Sequence, residues 1–234
     1  MENKIILPRT TEDGRPRISY SQLKSWNSKE AFDEFEGRKI SGSTGYILSY
    51  FLNYKFPPSP MSVYAPFGLK VEDYICNKVK SDLDDNEMAI LDTIKPLGIF
   101  QKLVTIDFGD FILEGFLDDA NEDRSILRDY KTASKASAKQ YSEQEYMQLD
   151  IYALDFYKKY GLIPKLEVVV IERSGSHFKM PLKVKDTFTI NRTTSKERLL
   201  YVESYVRSTV TDISDCYKEF LKLNEIFIDK TIIY

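Results

Sequence analysis

The stretch from Ile99 to Lys131 does most to narrow what this chain can fold into. Three strand-like runs, IFQKLVTIDF, DFILEGFLD and SILRDYK, follow one another across two short polar breaks, Phe108-Gly109-Asp110 and DANEDR. Runs joined by such tight turns form an antiparallel meander, because parallel neighbours need a long crossover. A helix is expected from about Lys139 to Tyr160, stopped by Gly161 with Pro164 beyond it. LEVVVIE then reads as a strongly buried strand, HFKMPLKVKDTFTI as one more strand or hairpin arm, and Ser195 to Leu223 as one or two helices.

Upstream, a cap-like serine precedes Leu23, Trp26, Ala31 and Phe32, which suggests a short helical element between Ser19 and Phe35. Four of the nine prolines fall between Lys55 and Pro66, an irregular crossing segment that need not divide the chain. Leu69, Glu72, Cys76, Val79 and Leu83 recur at spacings of three and four, the seam of an amphipathic helix starting near Pro66, with Cys76 in the core. The expected architecture is α/β (α+β): a central mixed sheet with an antiparallel meander, flanked by helices. One domain over 1–234 is expected, with an N-terminal helical element at about 19–65, a core at about 66–190 and C-terminal helices at about 193–224.

The chain has 234 residues, 33 basic and 36 acidic, for a net charge of −3, which excludes a histone-like binder or a basic tail. At 42% hydrophobic it can bury a sizeable core. The two cysteines, Cys76 and Cys216, cannot by themselves supply a four-thiolate zinc or iron-sulfur site, and they fit a reducing compartment. No signal-like N-terminus and no apolar run of about 18 residues is present, so a soluble cytoplasmic protein with no membrane contact is expected.

Chemistry concentrates at the meander. In a strand, Asp129 and Lys131 share a face while Tyr130 points to the other. Asp118 closes the preceding strand and returns beside Asp129 if the two form a hairpin. Hard divalent cations such as Mg2+ prefer converging oxygen donors, and Glu72, on an otherwise apolar helical stripe, is a candidate third ligand. The plainer readings are a solvated acidic turn at Asp118, Asp119, Glu122 and Asp123, and a surface ion pair for Asp129 with Lys131.

At these residues the chain resembles the PD-(D/E)XK nuclease superfamily, and within it the RecB-like exonuclease branch. A serine motif is similar to Ser19-Tyr20-Ser21-Gln22-Leu23-Lys24-Ser25-Trp26, and a helical motif to Gly68-Leu69-Lys70-Val71-Glu72. The histidine usual in that branch is replaced by Glu72. The acid motifs resemble Gly115-Phe116-Leu117-Asp118 and Asp129-Tyr130-Lys131-Thr132, and Gln148-Leu149-Asp150-Ile151-Tyr152 resembles the glutamine-tyrosine helix motif. The set stands in the family's order from Ser19 to Tyr152.

The resemblance implies a restriction-endonuclease-like core and an Mg2+- or Mn2+-dependent deoxyribonuclease, acting on DNA and more readily from an end than internally. Glu72, Asp118, Asp129 and the backbone carbonyl of Tyr130 would hold one or two ions, with no iron-sulfur cluster. Lys131 would orient or deprotonate the attacking water, while Gln148 and Tyr152, one helical turn apart, would hold the lysine, the water or a nucleotide. RNA is left open as a substrate. The alternative is a silent DNA-end binder, or a protein-interaction subunit of a recombination or defence-related complex. The same segments carry plain structural readings: capping by Ser19 or Ser21, a core anchor at Trp26, and a packed helix around Gln148 and Tyr152. A stripe of Lys131, Lys135 and Lys139, if helical, is either a solvated face or a phosphate track, and Lys102, Arg124, Arg128 and Lys139 would supply a local basic groove. His177 receives no function.

Overall fold

The computed structural model describes residues 4–28, 33–35, 38–56, 63–135, 137–138, 141, 146–176 and 180–231. Ala31, Phe32, Lys139, His177 and much of the proline-rich segment lie outside the described residues. In chain order the elements are β1 (Arg17–Ser19), α1 (Tyr20–Asn27), β2 (Asp33–Phe35), β3 (Arg38–Ile40), α2 (Gly42–Tyr46) running into a π-helical turn (Ile47–Phe51), α3 (Tyr64–Asn77) and α4 (Asp85–Leu91). Then come β4 (Ile99–Asp107), β5 (Ile112–Ala120), β6 (Ile126–Ser134), α5 (Met147–Tyr160), β7 (Lys165–Ser176), β8 (Met180–Arg192) and α6 (Lys196–Thr231).

The strands β1-β5-β6-β7-β8 form one sheet of six with β4, which also pairs with β5. β5 runs antiparallel to β6 and β7 to β8, whereas β1–β5 and β6–β7 are parallel, so the sheet is mixed, as the sequence predicts. The parallel β6–β7 step follows from α5, which supplies the crossover that a parallel pair requires. A small hairpin, β2 with β3, has no counterpart in the sequence reading.

Packing divides the chain into two compact units. The first comprises Met1–Ser59, Thr105–Gly115 and Glu203–Tyr234, and the second Pro60–Val104 and Phe116–Val202. In the first, α1 starts at a capping box: Ser19 Oγ accepts from the Gln22 N–H, and Gln22 Oε1 accepts from the Ser19 N–H at 2.7 Å. Capping therefore accounts for Ser19, and Trp26 packs edge-on against Tyr46 with ring centroids 5.5 Å apart. The buried stripe Val206, Val210 and Ile213 of α6 follows the helical period, and Asn27 donates to Tyr205 Oη and Thr209 Oγ1 of that helix.

In the second unit, α3 and α4 cover one sheet face. Phe67, Val71, Tyr74 and Ile75 pack with Leu91, Tyr130, Val169 and Ile171. This corrects the expected seam: Leu69 and Val79 are exposed, and the stripe that packs is 67-71-74-75. The helix also starts earlier than expected, at Tyr64. Gly68 lets α3 approach β6 closely, since a Cβ there would lie 3.3 Å from Thr132 Oγ1. Helix α5 is buried along Leu149–Phe156 and stops at Gly161, whose φ of 69° only glycine adopts freely. It begins at Met147; Tyr146 before it has φ −118° and ψ 71°, outside the helical range.

Candidate functional site

The site is built on the middle strands of the second unit. The β5–β6 register pairs Asp119 with Arg128 and Ala120 with Leu127, so Asp118 and Asp129 occupy the next positions beyond that pair. Directly opposed residues of antiparallel strands share a face. The Tyr130 N–H donates to Asp118 Oδ2 at 3.0 Å, which ties the two strands together beside the acids. Asp129 is buried, at 1% exposure, and Lys131 Nζ lies 2.6 Å from its Oδ2. The hydroxyl of Tyr146 donates to that same oxygen at 2.9 Å. The other oxygen, Oδ1, is buried and has no hydrogen-bond partner among the described residues.

Burial first, and then the neighbouring Asp129 carboxylate, push the Asp118 acid up to about 8, while Lys131 partly opposes them. Burial pulls the Lys131 ammonium down, but Asp129 and Asp118 outweigh it and hold the amine above its ordinary value. Burial, and next the Asp129 charge, keep the Tyr146 hydroxyl protonated well above the usual phenol range. The arrangement is thus two carboxylates in electrostatic contact, an ammonium at the edge and a neutral phenol donor behind them.

Glu72 stands apart from this group. Its Oε1 accepts from Gln101 Nε2 at 2.9 Å, and it lines a cleft of about 400 Å³ with Leu69, Lys70, Cys76 and Gln101. Cys76 lines that cleft too and is half-buried, packed against the edge of the hydrophobic core. Glu72 still contributes repulsion at Asp118. Among the described residues no group of three or more His, Cys, Asp and Glu side chains is placed to hold a metal ion. The acid pair nonetheless suits a hard cation, because a buried carboxylate oxygen without a donor is costly and a cation would occupy it.

The remaining expected residues take other positions. Gln148 is half-buried in the first turn of α5. Tyr152 is buried, and its hydroxyl donates to the Phe116 carbonyl at 2.8 Å, holding β5 two residues before Asp118. Asp119, beside Asp118, is fully buried and is no solvated turn residue: its carboxylate accepts from the Leu97 and Gly98 N–H groups and from Tyr130 Oη.

Two of the expected groove cations are structural. Arg128 is buried on Glu167, with Nη2 to Oε2 at 2.7 Å, and Arg124 lies 3.6 Å from Asp155. Lys102 is exposed on β4. Lys131 belongs to strand β6, so it starts no helical stripe with Lys135. No helix among the described residues is long and apolar enough to cross a membrane.

Set against solved structures, the chain shares its fold with a protein from Eubacterium rectale named "Putative exonuclease". The TM-score is 0.50 at 14% identity, over 87% of each chain. A second similar structure, that of SSO0001, gives a TM-score of 0.40 at 15% identity over 86% of this chain and 78% of that one. No protein-family model matches the chain, and no curated protein does. The first of these neighbours supports the mixed α/β architecture expected from the sequence.

Tyr146 is the site residue that sequence reasoning missed. It lies outside the Gln148–Tyr152 spacing, in a non-helical position, and nothing in the local pattern marks it. Gln101 was also unmarked. Its φ of 40° is unusual for a non-glycine residue inside a strand, and no sequence signal foretells that.

Proposed function

We propose that this chain is a metal-dependent nuclease that hydrolyses DNA phosphodiester bonds, working from strand ends. The observation that carries the reading is the Asp129 carboxylate. One oxygen is saturated by Lys131 and Tyr146, the other is buried and bare, and Asp118 stands beside it as a second oxygen donor. The motif order in the sequence and the fold shared with the Eubacterium rectale protein support the same conclusion. The preference for ends rests on the RecB-like resemblance and on that neighbour's name.

Asp118, Asp129 and the backbone carbonyl of Tyr130 would hold one or two Mg2+ or Mn2+ ions, with Glu72 as a further ligand once released from Gln101. When bound, such a cation would polarise the phosphoryl group and make water easier to deprotonate for attack. Lys131, kept protonated by two carboxylates, serves as a donor that orients the attacking water and neutralises charge on the phosphoryl oxygens. Tyr152 acts through the strand, by fixing the Phe116 carbonyl. Gln148, in the first turn of α5, is assigned to the water or to a flanking nucleotide.

The silent-subunit reading is favoured by two observations: Lys131 already neutralises Asp129, and no three His, Cys, Asp or Glu side chains are gathered to hold an ion among the described residues. Incubation with linear and circular, single- and double-stranded DNA, and with RNA, in Mg2+ or Mn2+ separates the two. Degradation of linear DNA alone is expected, and it should disappear in Lys131→Ala. Binding without cleavage in either metal would favour the silent subunit, and cleavage unchanged in Lys131→Ala would place the chemistry elsewhere.

A further inference from the structure

We propose that Tyr146 is a positioning residue for Asp129. Its hydroxyl and the Lys131 ammonium both occupy Oδ2, so that Oδ1 is presented bare to a cation. The inference rests on the metal-centre reading above and assigns that site a residue outside every motif of the sequence.

A carboxylate turns easily about its terminal torsion, whose profile is broad and roughly two-fold. Lys131 alone would not prevent this, since an ammonium carries three donors on a flexible stem and can follow either oxygen. A phenol is different: its single O–H is fixed by the ring plane. Two donors on one oxygen, 2.6 Å and 2.9 Å away, make rotation of Asp129 cost a hydrogen bond.

The ring itself is held. Its centroid lies 6.3 Å from that of Tyr141, and the charged groups of Lys131 and Arg192 each lie 5.8 Å from it. Arg192 in turn donates to the Tyr141 carbonyl at 3.1 Å. A neutral hydroxyl also suits the position chemically. It directs the carboxylate as a second cationic side chain would, without adding positive charge that repels a divalent ion.

Tyr160, exposed at the far end of α5, supplies the control. Mn2+ is titrated calorimetrically into the full chain and its Tyr146→Phe, Tyr146→His and Tyr160→Phe variants, with melting temperatures measured alongside. Tyr146→Phe should weaken Mn2+ binding by about tenfold or more, the range seen when a residue supporting a metal ligand is lost. Tyr146→His, which returns a ring N–H donor, should regain part of that loss, and Tyr160→Phe should leave Mn2+ affinity unchanged. Wild-type affinity in Tyr146→Phe, or equal losses in the phenylalanine and histidine variants, would overturn the positioning role alone. A wild-type chain that binds no Mn2+ would overturn it together with the metal centre.

Discussion

The backbone N–H of Tyr130 donates to Oδ2 of Asp118 at 3.0 Å, so the residue between Asp129 and Lys131 also fixes the acid on the neighbouring strand. The Tyr130 side chain leaves by the opposite face and donates to Asp119 at 2.7 Å. One residue thereby holds two adjacent acids in different environments. Asp119 is fully satisfied by hydrogen bonds, whereas Asp118 is strained by burial and by Asp129.

Cation binding should release a proton. With its acid at about 8, Asp118 is largely protonated at neutral pH in the metal-free protein, and a cation must displace that proton. Mn2+ affinity should therefore fall by about tenfold per pH unit below 8, one proton being lost per binding event. Calorimetry in buffers of different ionisation enthalpy measures the release directly. Affinity that stays flat between pH 6 and 9 would remove Asp118 from the ligand set.

The same group sets a pH dependence of stability without metal. An unfolded aspartate titrates near 3.9, approximately the ordinary value, and in the folded chain Asp118 does so at about 8. Between those values the folded state binds a proton that the unfolded state has released, so this residue's contribution becomes less favourable as pH rises through the window. Asp118→Asn mimics the protonated acid. Its melting temperature should exceed wild type at pH 8.5 and approach it at pH 5, and a constant difference would contradict the linkage.

Arg128 should behave as a core residue rather than as a DNA contact. Its guanidinium donates to Glu167 through Nε and Nη2 and to the Lys95 carbonyl through Nη1. Arg128→Met leaves Glu167 without its main partner in a site of low exposure and should cost about 3 kcal/mol in chemical denaturation. DNA affinity, measured by fluorescence anisotropy where the variant is folded, should not change. A selective loss of binding at full stability would return Arg128 to the groove.

Glu87 of α4 predicts a similar outcome. It closes the capping box of α4 with Asp84, and its Oε1 accepts from the Val184 N–H at 2.9 Å. Glu87→Ala removes the reciprocal half of that capping box and orphans a buried strand donor, for a loss of about 2 kcal/mol. Glu87→Gln should recover much of it, because the amide oxygen still accepts one of these bonds.

The strands at Ile99 to Lys131 and at Leu166 to Glu172, the stop at Gly161 and the capping serine were legible in the amino-acid order, because each depends on near neighbours. Alternation, turn chemistry and caps act over a few residues. Asp129 and Lys131 sharing a face follows from the pleat alone. The phase of α3 was not legible: Leu69, Glu72 and Val79 fit a helical seam as well as Phe67, Val71 and Tyr74 do, and only the sheet beneath decided which stripe was buried. The division of labour between Asp118 and Asp119 likewise required the backbone of Leu97 and Gly98 and the reach of Tyr130 from the next strand. Tyr146 meets Asp129 across 17 residues of chain. Local periodicity carries no information at that separation, because the meeting is set by how α5 returns over the sheet.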